Sequence, residues 1–379
     1  MRDRAIDATR AVAIAGVVLG HWLVTGLVLA PGGDLSQASP LAAMPWLSPA
    51  TWVLQTLGLF FFAGGYAAAR SHTSAPRRLV KLVPPVAGFC ALWATVLLAA
   101  TAAGVPDVTL HTVGKLAISP LWFLLPFAAL IALTGPLRWA GLAAVPPAIA
   151  VVAVADAGLG SLPLTLVAAW LVPYALGVAL ATGRLTAHRA GPVLAIGGAA
   201  AMAVLVLVLD YPASAVGVPG AGRSNLYPPS LFTLALATAQ IGLALLARPW
   251  LSRRRTPRLA GLLNRAAMPV YLWHQSALIV VVTGSAWLAG GRALPGLHTT
   301  PGDLGWAAAR AAWLPAFAVV LVALCRLAGQ HTSTNRPSAS HGSLGCKMAD
   351  GSEPGRPLEV IAVRDSDPPS HSRAARQLS

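Results

Sequence analysis

The stretch IDATRAVAIAGVVLGHW, residues 6–22, is apolar apart from its entry at Asp7 and Arg10 and a histidine, His21, further in. Continued to Ala30, the uncharged run that starts at Ala11 is about 20 residues long, the length a helix needs to cross a hydrocarbon core of about 30 Å. It is too long for the apolar core of a secretory signal, about 7–15 residues, and nine more runs follow it, so it reads as an uncleaved first span. The ten runs lie near residues 8–30, 49–70, 79–103, 118–135, 139–156, 162–182, 191–210, 228–248, 266–290 and 305–329. Composition points the same way: 56% of the 379 residues are hydrophobic and 10% charged, against about a quarter charged in soluble domains. The expected fold is an all-α polytopic membrane protein of about ten transmembrane helices. The residue alternation of a membrane β-barrel is missing.

The formal net charge is +15, and its distribution sets the expected orientation. Arg2 and Arg4 precede the first span, and Arg70, Arg77, Arg78 and Lys81 surround the second connection. Arg138 marks the fourth and Arg184 and Arg189 the sixth. Arg253, Arg254, Arg255, Arg258 and Arg265 fill the eighth. The intervening loops hold only Lys115, Arg223 and Arg292. Basic residues gather in cytoplasmic loops, so both termini are expected to be cytoplasmic and the number of spans even. Anionic membrane lipids account for this basicity, and nucleic-acid binding is not expected. Cys90, Cys325 and Cys346 lack metal-ligand spacing, so neither a metal site nor a disulfide framework is expected. Two parts follow: a membrane domain over residues 1–329 and a Ser- and Pro-rich polar tail over 330–379, expected to be disordered and cytoplasmic.

Both glutamates of the chain, Glu353 and Glu359, lie in that tail. The carboxylates of the membrane part, Asp3, Asp7, Asp34, Asp107, Asp156, Asp210 and Asp303, fall at span ends or in loops. Proton transfer within the membrane is therefore left to histidine or tyrosine. His21 stands eleven residues beyond Arg10, about 16 Å further along a helix and rotated by only about 20°, so the two share a face. Asp7 and Thr25 extend the stripe by a turn at either end. Over 8–30 this places His21 at mid-membrane, where an imidazole is either a hydrogen bonder between helices or a general base. Arg10 reads equally as a snorkelling anchor, with Asp7 as its ion-pair partner. His274, in MPVYLWHQSALIVV, should lie about 12 Å into its span, near the level of His21, with Tyr271 one turn back and Gln275 beside it. Arg310 reads as an interfacial anchor. Arg78 and Lys81 share a face where a phosphate would be held, although a positive-inside cluster explains them as well.

These residues resemble the integral-membrane acyltransferase-3 family. Arg10 and His21 resemble its first-helix signature, and the Asp7–Ile14 context is similar. Phe61-Phe62-Ala63-Gly64-Gly65-Tyr66 resembles its Phe-Phe-x-x-Ser-Gly-aromatic segment, with Gly64 in place of Ser. Arg78-Leu79-Val80-Lys81-Leu82-Val83-Pro84 resembles its Arg-x-x-Arg-x-x-Pro motif, with lysine second. Pro120-Leu121-Trp122-Phe123-Leu124 and Val270-Tyr271-Leu272-Trp273-His274 resemble its fourth-helix and late-helix landmarks. The resemblance runs in family order over residues 1 to about 329.

The resemblance implies an O-acyltransferase in a bacterial cytoplasmic membrane, with acyl-CoA, above all acetyl-CoA, as donor and no permanently bound cofactor. A carbohydrate or glycosylated molecule is the implied acceptor. His21 would then be the catalytic base, and Arg10, Asp7, Arg78, Lys81, Trp122, Tyr271 and His274 the substrate-binding residues. Lysine at position 81 loses bidentate phosphate geometry. A small-molecule transporter, or a non-catalytic subunit of a polysaccharide export system, is the alternative reading.

Overall fold

Backbone amides in hydrocarbon must be bonded within their own segment, so apolar runs fold as helices. The computed structural model describes residues 3–253 and 258–334. Arg2, Arg254, Arg255 and, from residue 335, the proposed tail lie outside the described residues. Everything below belongs to the unit Met1–Asn335. Among the described residues, ten helical segments are long and apolar enough to cross a membrane. Spans 1 to 5 are Arg4–Val24, Pro45–Ala69, Ala75–Ala102, Asp107–Ala132 and Thr134–Asp156. Spans 6 to 10 are Leu162–Ala181, Ala187–Leu207, Leu231–Arg253, Ala267–Leu288 and Leu304–Ala328.

Span 1 departs from its sequence reading at both ends. It starts early because Asp3 caps it, accepting hydrogen bonds from Ala5 N and Ile6 N. It stops at Val24, not near residue 30, and Thr25 is extended. Gly26–Leu29 then forms strand β1, antiparallel to β2 (Leu35–Ala38), with Gly26 opposite Ala38 and Leu29 opposite Leu35. The turn between them includes Gly33 at φ +89°, a backbone angle that glycine adopts without Cβ strain. Pairing with β2 satisfies the backbone of 26–29 as well as a helix would, so an apolar run alone could not decide between them. His21 consequently stands in the last turn of span 1, not at the middle of a longer helix.

Connections pair up at two ends. At the basic end, Asp3 accepts from Tyr66 Oη at 2.9 Å and pairs with Arg248 at 2.7 Å, tying the start of span 1 to spans 2 and 8. Burial alone would raise the Asp3 carboxyl, but Tyr66, the Ile6 N–H and Arg248 together hold it below its ordinary value. Asn264 of the short helix Arg258–Arg265 donates to Asp7 O. At the opposite end, Asp156 accepts from Tyr211 Oη at 2.7 Å and from Leu231 N at 2.9 Å, joining spans 5 and 8. Burial and the Asp156 carboxylate push the Tyr211 hydroxyl above its usual value.

Lipid tails do not drive helices together, so close backbone approach by small residues does. A Cβ on Gly65 would collide with Tyr174 O, and one on Gly177 with Phe62 O, so spans 2 and 6 meet backbone to backbone. Gly198 and Gly242 do the same for spans 7 and 8.

Candidate functional site

Three spans lose helical regularity around one point. Span 1 ends at Val24. Span 2 is interrupted between Leu54 and Leu57, and Gln240 of span 8 satisfies the freed carbonyls of Trp52 at 2.7 Å and Gln55 at 3.0 Å. Span 4 tightens to a 3₁₀ turn over Ser119–Phe123, which includes Pro120. Irregular backbone at such depth is tolerated where it is buried in protein or lines a cavity. A cavity of about 180 Å³ lies there, lined by His21, Gln55, Trp122 and Tyr271 from the spans. Gln37 and Ser39 of the hairpin region and Val216, Gly217 and Leu226 of the span 7–8 loop complete its mouth. It therefore opens at the end opposite the basic connections. Its lining includes no charged side chain and no carboxylate.

Two imidazoles meet behind it. The His21 and His274 rings lie 5.1 Å apart between centroids. Gln275 Nε2 is 3.0 Å from His21 Nδ1. His274 Nδ1 is 2.7 Å from Tyr271 O. A carbonyl only accepts, so Nδ1 of His274 carries the proton and Nε2 the lone pair. That Nε2 is buried with no protein partner. His274 is fully buried and Tyr271 nearly so, with the Tyr271 ring 3.8 Å from that of Phe123. Trp22, next to His21, donates from Nε1 to His274 O at 2.8 Å, fixing the register of spans 1 and 9.

Of the residues singled out by sequence, His21, Trp122 and Tyr271 line the cavity, and His274 packs directly behind His21. Arg10 and Asp7 stay on the same continuous helix as His21, toward the basic end, and do not line the cavity. Arg78 and Lys81 are also elsewhere, and they are not equivalent. The helix Ala75–Val80 ends just before Lys81, which is exposed, whereas Arg78 is half-buried with a buried Nε that no protein atom accepts from. Pro84 and Pro85 begin the next helix, Val83–Ala102, where a missing N–H does no harm. Among the residues at the span 8 entry, Asn225 is fully buried and holds Pro212 O, Ser214 O and Ser230 in place, so it is structural. Arg223 stacks on Tyr211 at 3.9 Å, and Tyr227 packs edge-on against Trp122.

Arg310 contradicts its expectation as an interfacial anchor. It is 0% exposed, because its fork reaches three backbone carbonyls that the sequence cannot show. Gln37, Ser39 and Gln55 also went unpredicted, since nothing in a lone polar residue of a loop or span end announces a cavity. Among the described residues, no group of three or more His, Cys, Asp or Glu side chains could hold a metal ion.

A family model described as an acyltransferase domain, acyltransferase-3, matches residues 3–329. The chain belongs to the acyltransferase-3 family. It is thus a multi-pass membrane acyltransferase, and its sequence landmarks His21, Trp122 and Tyr271 stand around one cavity. No curated protein and no solved structure matches the acyltransferase.

Proposed function

We propose that this acyltransferase moves an acyl group, acetyl in the first instance, from acyl-CoA to a hydroxyl of a sugar-containing acceptor, with His21 as general base. The observation that carries this reading is His21 itself, the one imidazole lining an otherwise uncharged polar cavity. An amide can turn either face to a ring nitrogen, so Gln275 supports both tautomers of His21. With the Gln275 carbonyl toward Nδ1–H, Nε2 of His21 carries the lone pair that removes the hydroxyl proton. The acceptor oxygen attacks the thioester carbon, the C–S bond breaks, and the departing thiolate takes up a proton to leave as the free thiol.

The donor's nucleotide and phosphates are too polar for hydrocarbon, so they stay at the basic end, taken here as cytoplasmic. Arg78, with its unpartnered Nε, and exposed Lys81 are the anchors proposed for them. Asp7 and Arg10 stand between that end and His21, where the thin acyl-bearing arm would pass. The acceptor enters from the opposite end, where the cavity opens, with Trp122 as the flat surface a sugar ring stacks on. Tyr271 and His274 steady the reacting groups. In this reading the protein sits in a bacterial cytoplasmic membrane, residues 1–329 perform the transfer, and the polar tail from 330 on takes no part in the chemistry.

Membranes containing the protein, supplied with acetyl-CoA labelled in the acetyl group and with soluble and lipid-linked sugars, should yield label in an alkali-labile ester on the acceptor. Sugar uptake without covalent label would favour a transporter and overturn the reading.

A further inference from the structure

Arg310 is the one fully buried arginine among the described residues, and the mechanism above makes no use of it. Its Nε donates to Trp22 O at 2.6 Å, its Nη2 to Thr25 O at 2.5 Å and its Nη1 to Gly296 O at 3.1 Å. The last carbonyls of a helix have no partner within it and carry the negative end of its dipole, so a guanidinium is well placed there. Trp22 directly follows His21 in that last turn, and Thr25 is the residue that caps it. The Phe317 ring lies 4.7 Å from the Arg310 Cζ and packs tilted against Trp22 at 5.4 Å between centroids, closing the apolar side of the clamp.

The third carbonyl belongs to a loop that is itself firmly fixed. Gly296 has φ +75°, and a Cβ there would meet the backbone of Ala309 and Arg310. His298, fully buried, accepts from Leu294 N at 3.0 Å through Nδ1, so its Nε2–H donates to Val282 O at 2.9 Å on span 9. Leu29 N of β1 donates to His298 O at 2.9 Å. Arg310 thus joins the end of span 1 to a loop already bonded to span 9 and β1.

We propose that Arg310 is the positioning residue for His21: by clamping the Trp22 and Thr25 carbonyls, one and four residues beyond it, it sets where the His21 ring stands against His274 and the cavity. The proposal rests on His21 being the base. Lysine keeps the charge but not the three-way fork, and Gly296→Ala disturbs the same clamp from its other end.

The test uses the full chain in lipid nanodiscs and two readouts: acyl transfer, and the rate at which diethyl pyrocarbonate modifies His21, resolved by peptide mass spectrometry. For Arg310→Lys the expected result is a kcat per folded molecule about 100-fold lower with both KM values within about twofold. His21 modification should change several-fold, and Gly296→Ala should shift both readouts in the same direction. Unchanged His21 reactivity in folded variants overturns the proposal whatever the rate. So does an unchanged kcat where the wild type is active. If the wild type transfers no acyl group, or His21→Ala is as active as wild type, the proposed function fails instead. The modification rate then decides the clamp by itself.

Discussion

At the basic end, Asp3 is held between buried Tyr66 and Arg248, which is partly open to solvent, and the connections are rich in arginine. At the other end Arg310 is fully enclosed and bonded only to carbonyls, next to a cavity whose lining carries no charge. The same residue type therefore does different work at the two ends. Exposed arginines are hydrated and exchangeable, each worth little. A buried one needs every donor matched, so its removal disturbs whatever its acceptors hold. The proposed chemistry gathers where charge is scarce, among an imidazole, amides, hydroxyls and aromatic rings.

The comparison can be broken in steps. The Arg310→Lys substitution should cost about 100-fold in kcat, whereas Arg248→Lys at the other end should leave kcat within about twofold; equal losses would erase the distinction. Trp122→Ala removes the flat apolar wall of the cavity, and acceptor KM is expected to rise about tenfold with donor KM unchanged, read by varying each substrate in turn. Arg78→Ala should give the mirror image, a donor KM several-fold higher with the acceptor KM kept, because it is a proposed anchor of the donor's phosphates. A rise in the acceptor KM instead would move the phosphates away from the basic end.

The smallest expected effect is at Asp3. Asp3→Ala removes a helix cap and a partly exposed ion pair, about 1 kcal/mol of stability, with kcat per folded molecule retained. The folded state holds this carboxyl below its ordinary value of about 4. Its contribution is therefore full above that value and lost as pH falls through the lower, folded one. Thermal midpoints of wild type and Asp3→Ala should differ by a constant amount from pH 6 to 8 and converge in acid. A gap that widened on acidification would contradict the assignment.

Much of this architecture was legible in the amino-acid order. Ten apolar runs give ten helices among the described residues that are long and apolar enough to be spans, since length and apolarity decide whether a helix can cross a bilayer. The eleven-residue interval put Arg10 and His21 on one helix face, and MPVYLWHQ marked the second imidazole that meets the first. The end of span 1 was hidden, because Gly26–Leu29 is as apolar as a helix and its pairing with Leu35–Ala38 is a tertiary fact. Arg310 was hidden for the same reason: its acceptor Trp22 lies 288 positions away along the chain and is a backbone carbonyl, which no side-chain pattern records. The break in span 2 was equally silent, because its freed carbonyls are answered by Gln240, far along span 8.

The claim that binds the account together is that His21, lining the uncharged cavity, does the chemistry. Its most direct test is single-turnover acyl transfer by the purified chain with saturating labelled donor and acceptor, comparing wild type with His21→Gln. The account predicts a rate lower by about 10²–10⁴ with donor binding retained. A His21→Gln protein that transfers the label as fast as wild type would contradict it.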